Sequence, residues 1–208
     1  ITFLVCLVMI LTFFTPTNAA SQNKIKTIQE KTNQNHIVLN YFFDAPSIKR
    51  IDNSDYISIT NLNLWQTPGE PIIPVKPIRI VLPPHSTIQS IEITTNQQKI
   101  LPDSYNLANG QEDVLLNDEN PRIKTQPNQE IYNSNKPYPG TTYREIGIQK
   151  CLGYTILLLN LFPVQYQPKL GIIVYYTAMS EKITITEDEN KATPDPMLRS
   201  EERRVWKD

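Results

Sequence analysis

Pro77-Ile-Arg-Ile-Val-Leu-Pro83 is followed, across the turn Pro84-His85-Ser86, by Ile88-Gln-Ser-Ile-Glu-Ile-Thr94. Apolar residues alternate with polar ones through most of both runs, and prolines bound the first. Successive side chains of an extended strand point to opposite faces, so this alternation predicts strands with one face packed and one wet. The same pattern extends in both directions. Toward the N-terminus, His36-Ile-Val-Leu-Asn-Tyr-Phe-Phe43 places Ile37, Leu39, Tyr41 and Phe43 on one face. Tyr56-Ile-Ser-Ile-Thr60 separates Ile57 and Ile59 from a row of hydroxyls. Toward the C-terminus follow Tyr143-Arg-Glu-Ile-Gly-Ile-Gln149, Tyr154-Thr-Ile-Leu-Leu-Leu-Asn-Leu-Phe162, Lys169-Leu-Gly-Ile-Ile-Val-Tyr-Tyr-Thr177 and Lys182-Ile-Thr-Ile-Thr186. The run from Ile156 to Phe162 is apolar on both faces, as expected of a central strand. Its short length and Pro163 argue against a buried helix.

Composition agrees. The chain has 208 residues, enough for one ordinary domain, with 17 Pro against 6 Gly. Proline breaks long helices and favours short extended runs joined by turns. The expected fold is therefore all-β: an antiparallel two-sheet β-sandwich of about 8–10 strands behind an N-terminal signal peptide. A net charge of -1 leaves no basic footprint for nucleic acid. Two Cys and two His exclude a disulfide-stapled miniprotein and a Cys-rich zinc module.

The ends depart from this texture. Residues 1–20 read as a secretory signal: an apolar run to Phe14, the breaker Thr15-Pro16-Thr17, then Ala19 and Ala20, after either of which cleavage is expected. The run is shorter than the ~20 residues a spanning helix needs. Neither an initiator Met nor a basic n-region precedes Ile1. Residues 21–35 form a polar lead-in, 36–187 the sandwich, and 188–198 an acidic, proline-containing linker. The final stretch, Arg199-Ser-Glu-Glu-Arg-Arg-Val-Trp-Lys-Asp208, resembles a translated sequencing-adapter end; 199–208 are expected to be non-native and carry no functional weight. Between the strands, residues 102–141 are rich in Asn, Asp, Pro and Gln and read as long excursions from the framework.

No residue set in this sequence makes a catalytic site. Cys151 is the only Cys beyond the signal, and neither His36 nor His85 has local motif context, so the thiol is read as packed or idle, or as an intermolecular disulfide partner. Metalloprotease, phosphate-loop and serine-hydrolase motifs do not occur. Glu112-Asp113 with Asp118-Glu119 offers oxygens suited to Ca²⁺, but the spacing fits no EF-hand and a solvated loop is favoured. No cofactor and no metal site are expected, and no membrane partner once the signal is removed.

Three proline-anchored segments carry a family resemblance. They are Gly69-Glu-Pro71-Ile-Ile-Pro74 leading to the strand that ends at Leu82-Pro83, Tyr138-Pro139 ahead of the strand holding Arg144, and Pro163-Val-Gln-Tyr166-Gln-Pro168 before the Leu170–Tyr176 strand. In order and spacing they resemble the propeptide domain of gingipain-type cysteine peptidases, caspase-like secreted proteases, over about residues 36–187. The resemblance implies a sandwich prodomain, secreted or at the cell surface, that precedes a catalytic domain with a His–Cys dyad in the same precursor. It further implies that the prodomain assists folding and silences the zymogen by laying a loop across the active-site cleft until proteolysis. Arg122 and Lys124, in the loop Asn117–Lys136, are the implied inhibitory side chains; the proline motifs are structural. The competing reading is an extracellular adhesive or carbohydrate-binding sandwich, with Trp65 and Tyr56 or the Tyr175-Tyr176 pair as aromatic platform. Adjacent Tyr175 and Tyr176 face opposite sides of a strand, which weakens it.

Overall fold

The computed structural model describes residues 30–33, 36–113, 124–151 and 154–187. In chain order its strands are β1 (Glu30–Asn33), β2 (His36–Phe42), β3 (Ser47–Ile51), β4 (Ser54–Ser58), β5 (Asn63–Trp65), β6 (Ile73–Leu82), β7 (Ser86–Ile100), β8 (Tyr143–Cys151), β9 (Tyr154–Leu161), β10 (Val164–Gln167) and β11 (Ile172–Glu187). One short helix, α1 (Gln129–Tyr132), lies between β7 and β8.

Two sheets and a hairpin result. β11 is the spine of the first sheet. Along one edge it pairs with β7 from Val174–Ile100 to Glu187–Ser86. Its other edge is shared, with β10 taking Ile172–Tyr175 and β2 taking Ala178–Thr184. β1 extends the sheet beyond β2. The second sheet has the order β5-β6-β9-β8, and β3 and β4 form a separate hairpin. Every strand pair is antiparallel.

Alternation explains the core. On β9, Leu157, Leu159 and Leu161 are fully buried, and they face Ile80, Ile78 and Lys76 across the ladder with β6. Leu39, Tyr41 and Phe43 are likewise buried, and they join Met179, Ile183 and Ile185 of β11 in one cluster with the second sheet. Burial of this continuous apolar layer is the main favourable term in the fold.

Four strands were not legible in the sequence: β1 within the expected lead-in, β3, β5, and β10 inside the Pro163–Pro168 motif. The eleven strands exceed the expected number for that reason. β10 fits between prolines because its ladder N–H groups come from Val164 to Gln167, and Pro168 opens a single 3₁₀ turn. Conversely, the two expected strands at 169–177 and 182–186 are one, β11, because pairing with β7 continues through Ala178-Met-Ser-Glu181.

That continuity buries Glu181 completely. Its register partners are Leu39 on β2 and Ile93 on β7. The Tyr41 hydroxyl donates to Glu181 Oε2 at 2.9 Å, while the buried Oε1 has no partner. Burial pushes the carboxyl up to about 7, against the smaller opposing effect of the Tyr41 hydrogen bond.

Candidate functional site

The polar excursion is held by side chains instead of a strand ladder. Gln111, Glu112 and Thr125 stand where its outgoing and returning limbs meet. Thr125 N donates to Gln111 Oε1 at 2.9 Å, and Glu112 N donates to Thr125 Oγ1 at 3.0 Å. Asn109 Nδ2 reaches the Thr125 carbonyl at 2.8 Å. A turn at Gly69-Glu70 is bonded to both limbs. Gly69 N donates to Gly110 O at 2.9 Å, Gly110 N to Glu70 O at 2.9 Å, and Asn128 N to Gly69 O at 2.8 Å. Gly69 takes φ +79, open to glycine at little cost, and a Cβ on Gly110 would collide with the Thr67 carbonyl. Asn128 caps α1 by accepting from Glu130 N at 3.0 Å and Ile131 N at 3.4 Å, which ends the returning limb in a fixed turn. Lys124 sits at the lip of this stem and is exposed. Arg122 lies outside the described residues, as do Asp118 and Glu119.

Beneath the stem, three tyrosines tie the motif segments together. Tyr138 and Tyr166 exchange backbone hydrogen bonds at 2.7 and 2.8 Å. The Tyr138 hydroxyl donates to Glu70 Oε2 at 2.7 Å, linking the Tyr138-Pro139 segment, whose peptide bond is cis, to the Gly69 turn. Tyr166 is 1% exposed; its hydroxyl donates to Tyr105 O at 2.8 Å and accepts from Leu107 N at 3.4 Å. The Tyr132 hydroxyl donates to Leu107 O at 2.9 Å. Burial raises all three phenols, and for Tyr138 the Glu70 carboxylate raises it further. They therefore remain neutral O–H donors across the working pH range. Gly69, Pro71, Tyr138, Pro139 and Tyr166 thus gather at one end of the sandwich. Pro163 and Pro168 are buried beside them on the flanks of β10, and Pro74 is buried in β6 opposite Leu64. Leu82 and Pro83 are not part of this group: they close β6 at the opposite end, where Pro83 O accepts from Ser86 Oγ at 2.8 Å.

The Propeptide_C25 family model matches residues 17–199. This chain belongs to the gingipain-type propeptide family. Two solved structures share its fold. One, described as structural insight into zymogenic latency of gingipain K from Porphyromonas gingivalis, superposes with a TM-score of 0.67 at 13% identity, covering 80% of this chain and 96% of that one. The other, a complex of Porphyromonas gingivalis RgpB pro- and mature domains, gives 0.61 at 16% identity, covering 85% and 94%. No curated protein matches the chain. The protein is thus a propeptide of a cysteine-peptidase precursor, and the matched family is that of the propeptide and not of the peptidase.

The propeptide places the remaining sequence candidates apart from one another. Trp65 makes no platform with Tyr56. Its ring meets Phe162 edge-on at 5.8 Å between centroids, and the Arg144 guanidinium lies 5.0 Å from its centre. Tyr175 is buried in the core. Cys151 is exposed at the end of β8, His36 opens β2, and His85 occupies the β6–β7 turn with φ 59. Glu112 and Asp113 are exposed, and among the described residues no group of three His, Cys, Asp or Glu side chains is placed to hold a metal. Sequence reasoning missed Glu70, Asn109, Gln111 and Thr125. Their polar, turn-favouring character was visible, but their partners lie up to 68 positions away and nothing local indicates them.

Proposed function

We propose that this propeptide leads a secreted or cell-surface cysteine-peptidase precursor, assists folding of the catalytic domain that follows, and keeps it latent by presenting the loop above the Gln111–Thr125 stem to the active-site cleft. The observation that carries the reading is the clamp itself. Side-chain and backbone hydrogen bonds from Asn109, Gln111, Thr125 and the Gly69 turn hold both limbs, and Lys124 is exposed at their lip. A preorganised stem lowers the ordering cost of binding, which an inhibitory loop needs. Arg122 or Lys124 supplies the plug for a pocket of basic specificity, with a bidentate carboxylate contact favouring Arg122. Residues 1–20 serve export, and cleavage in 188–198 releases the domain.

The test is inhibition in trans. Residues 21–190 are titrated against the mature peptidase of the same precursor, beside Arg122→Ala and Lys124→Ala. At least one substitution is expected to weaken inhibition about tenfold or more, in the range for losing a charge-assisted contact. Undiminished inhibition by both variants would count against the assigned loop.

A further inference from the structure

We infer that the outer face of the second sheet is the seat of the peptidase domain, which would meet it with an apolar patch bordered by carboxylates. This inference rests on the latency reading above. β6 and β9 present alternate residues away from the core: Arg79 stands opposite Leu158, and Val81 opposite Ile156, while Ile78, Ile80, Leu157 and Leu159 point inward and are buried. Val81 is 56% and Tyr154 55% exposed, and Ile156 and Leu158 are half-buried. On the β8 side of Leu158 the register partner is Gly147, which adds no side chain to cover it. Arg144, opposite Asn160, closes the face at the stem end.

Two positions on the chain say what covers this face. The described chain leaves the sandwich at Glu187, which pairs with Ser86 in the turn region following β6. Val81 and Tyr154 lie at that same end, since Leu82 pairs with Thr155. The loop stem is at the other end, where Tyr138 pairs with Tyr166 and Ile100 with Val174. From Val174 to Glu187 the spine strand runs roughly 40 Å at about 3.3 Å per residue. A domain joined beyond Glu187 that also receives the loop must therefore lie along one side of the sandwich. The outer face of the first sheet is polar, carrying Glu92, Thr94, Ser180 and Lys182. The outer face of the second sheet carries the apolar rows, flanked by Arg79 and Arg144, and patches of that kind mark interaction surfaces.

The experiment uses the full precursor with a photo-crosslinking residue at Val81 or, for comparison, at Thr94. It is paired with inhibition in trans by the Val81→Asp/Tyr154→Asp and Thr94→Asp variants. A crosslink from position 81 to the peptidase part is expected, with none from 94. The double variant should bind about a hundredfold more weakly, as expected for unpaired carboxylates buried at an interface, while Thr94→Asp inhibits like the parent. Far-UV circular dichroism checks that both variants fold, and the crosslink is independent of them. Crosslinking from 94 instead, or between two copies through 81, overturns the proposal. So does full potency of a folded double variant. Failure of the parent domain to inhibit overturns the latency reading alone, because the crosslink still decides the face.

Discussion

The sandwich and the stem of its central excursion are held by different means. The β7–β11 ladder and the β6–β9 pair are built from alternating apolar residues, and their stability comes from Leu157, Leu159, Leu161, Ile173 and Ile183 taken fully out of water. The stem buries little apolar surface beyond Leu107 and Ala108. Its order comes from Asn109, Gln111 and Thr125 bonding to backbone groups, and from a glycine turn bonded to both limbs. Burial is cooperative and shared over many neighbours, whereas each polar clamp contributes only about a kcal/mol. A loop that must later be withdrawn from a cleft and cleaved is better carried on the second kind of support than on the first.

Substitutions should expose this contrast. Leu159→Ala, on the fully buried face of β9, is expected to cost about 2–5 kcal/mol of global stability, read as a drop in the denaturant midpoint with unchanged slope. A cost below 1 kcal/mol would mean that the two sheets are not joined through that layer.

Glu181 tests the core from within. Its carboxyl is raised to about 7 by burial, above its value in the unfolded chain, so the folded state binds the proton more tightly. The stability this adds is fully present below about pH 4.5 and is lost as pH rises through about 7. The loss amounts to about 3 kcal/mol at about 1.4 kcal/mol per pH unit. Glu181→Gln should flatten the dependence of the melting temperature on pH between those limits. An unchanged slope would place the titration elsewhere.

The smallest effect belongs to the stem. Gln111→Ala removes the acceptor of Thr125 N and should cost about 1 kcal/mol or less, confined to the excursion. Hydrogen exchange at residues 109–112 and 124–128 should speed up while exchange in β9 and β11 stays the same. Equal acceleration everywhere would show that stem and sandwich open together.

Most of the frame was legible because alternation is a local signal. β2, β6, β7, β8 and β9 stand where period-two runs and prolines indicated. β3, β5 and β10 escaped because three to five residues carry too little pattern. The split of β11 into two expected strands has one cause: Glu181 falls in phase with Met179 and Ile183, and a carboxylate in the buried phase reads as a break. In the structure it is a buried acid bonded to Tyr41. The three proline-anchored segments were legible as a set, but their convergence through Tyr138, Glu70 and Tyr166 was not. Lys124 could be named as a loop residue; the clamp beneath it could not.

From the sequence alone followed the all-β class, the faces of its longer strands and the resemblance to a propeptide, because side-chain direction along a strand depends only on parity. Tertiary structure alone decided the protonation of Glu181, the partners of Gln111 and Thr125, and which apolar face was left open along the second sheet. Each of these depends on groups distant in sequence meeting in space, where burial sets a pKa and a side-chain amide can replace a missing strand.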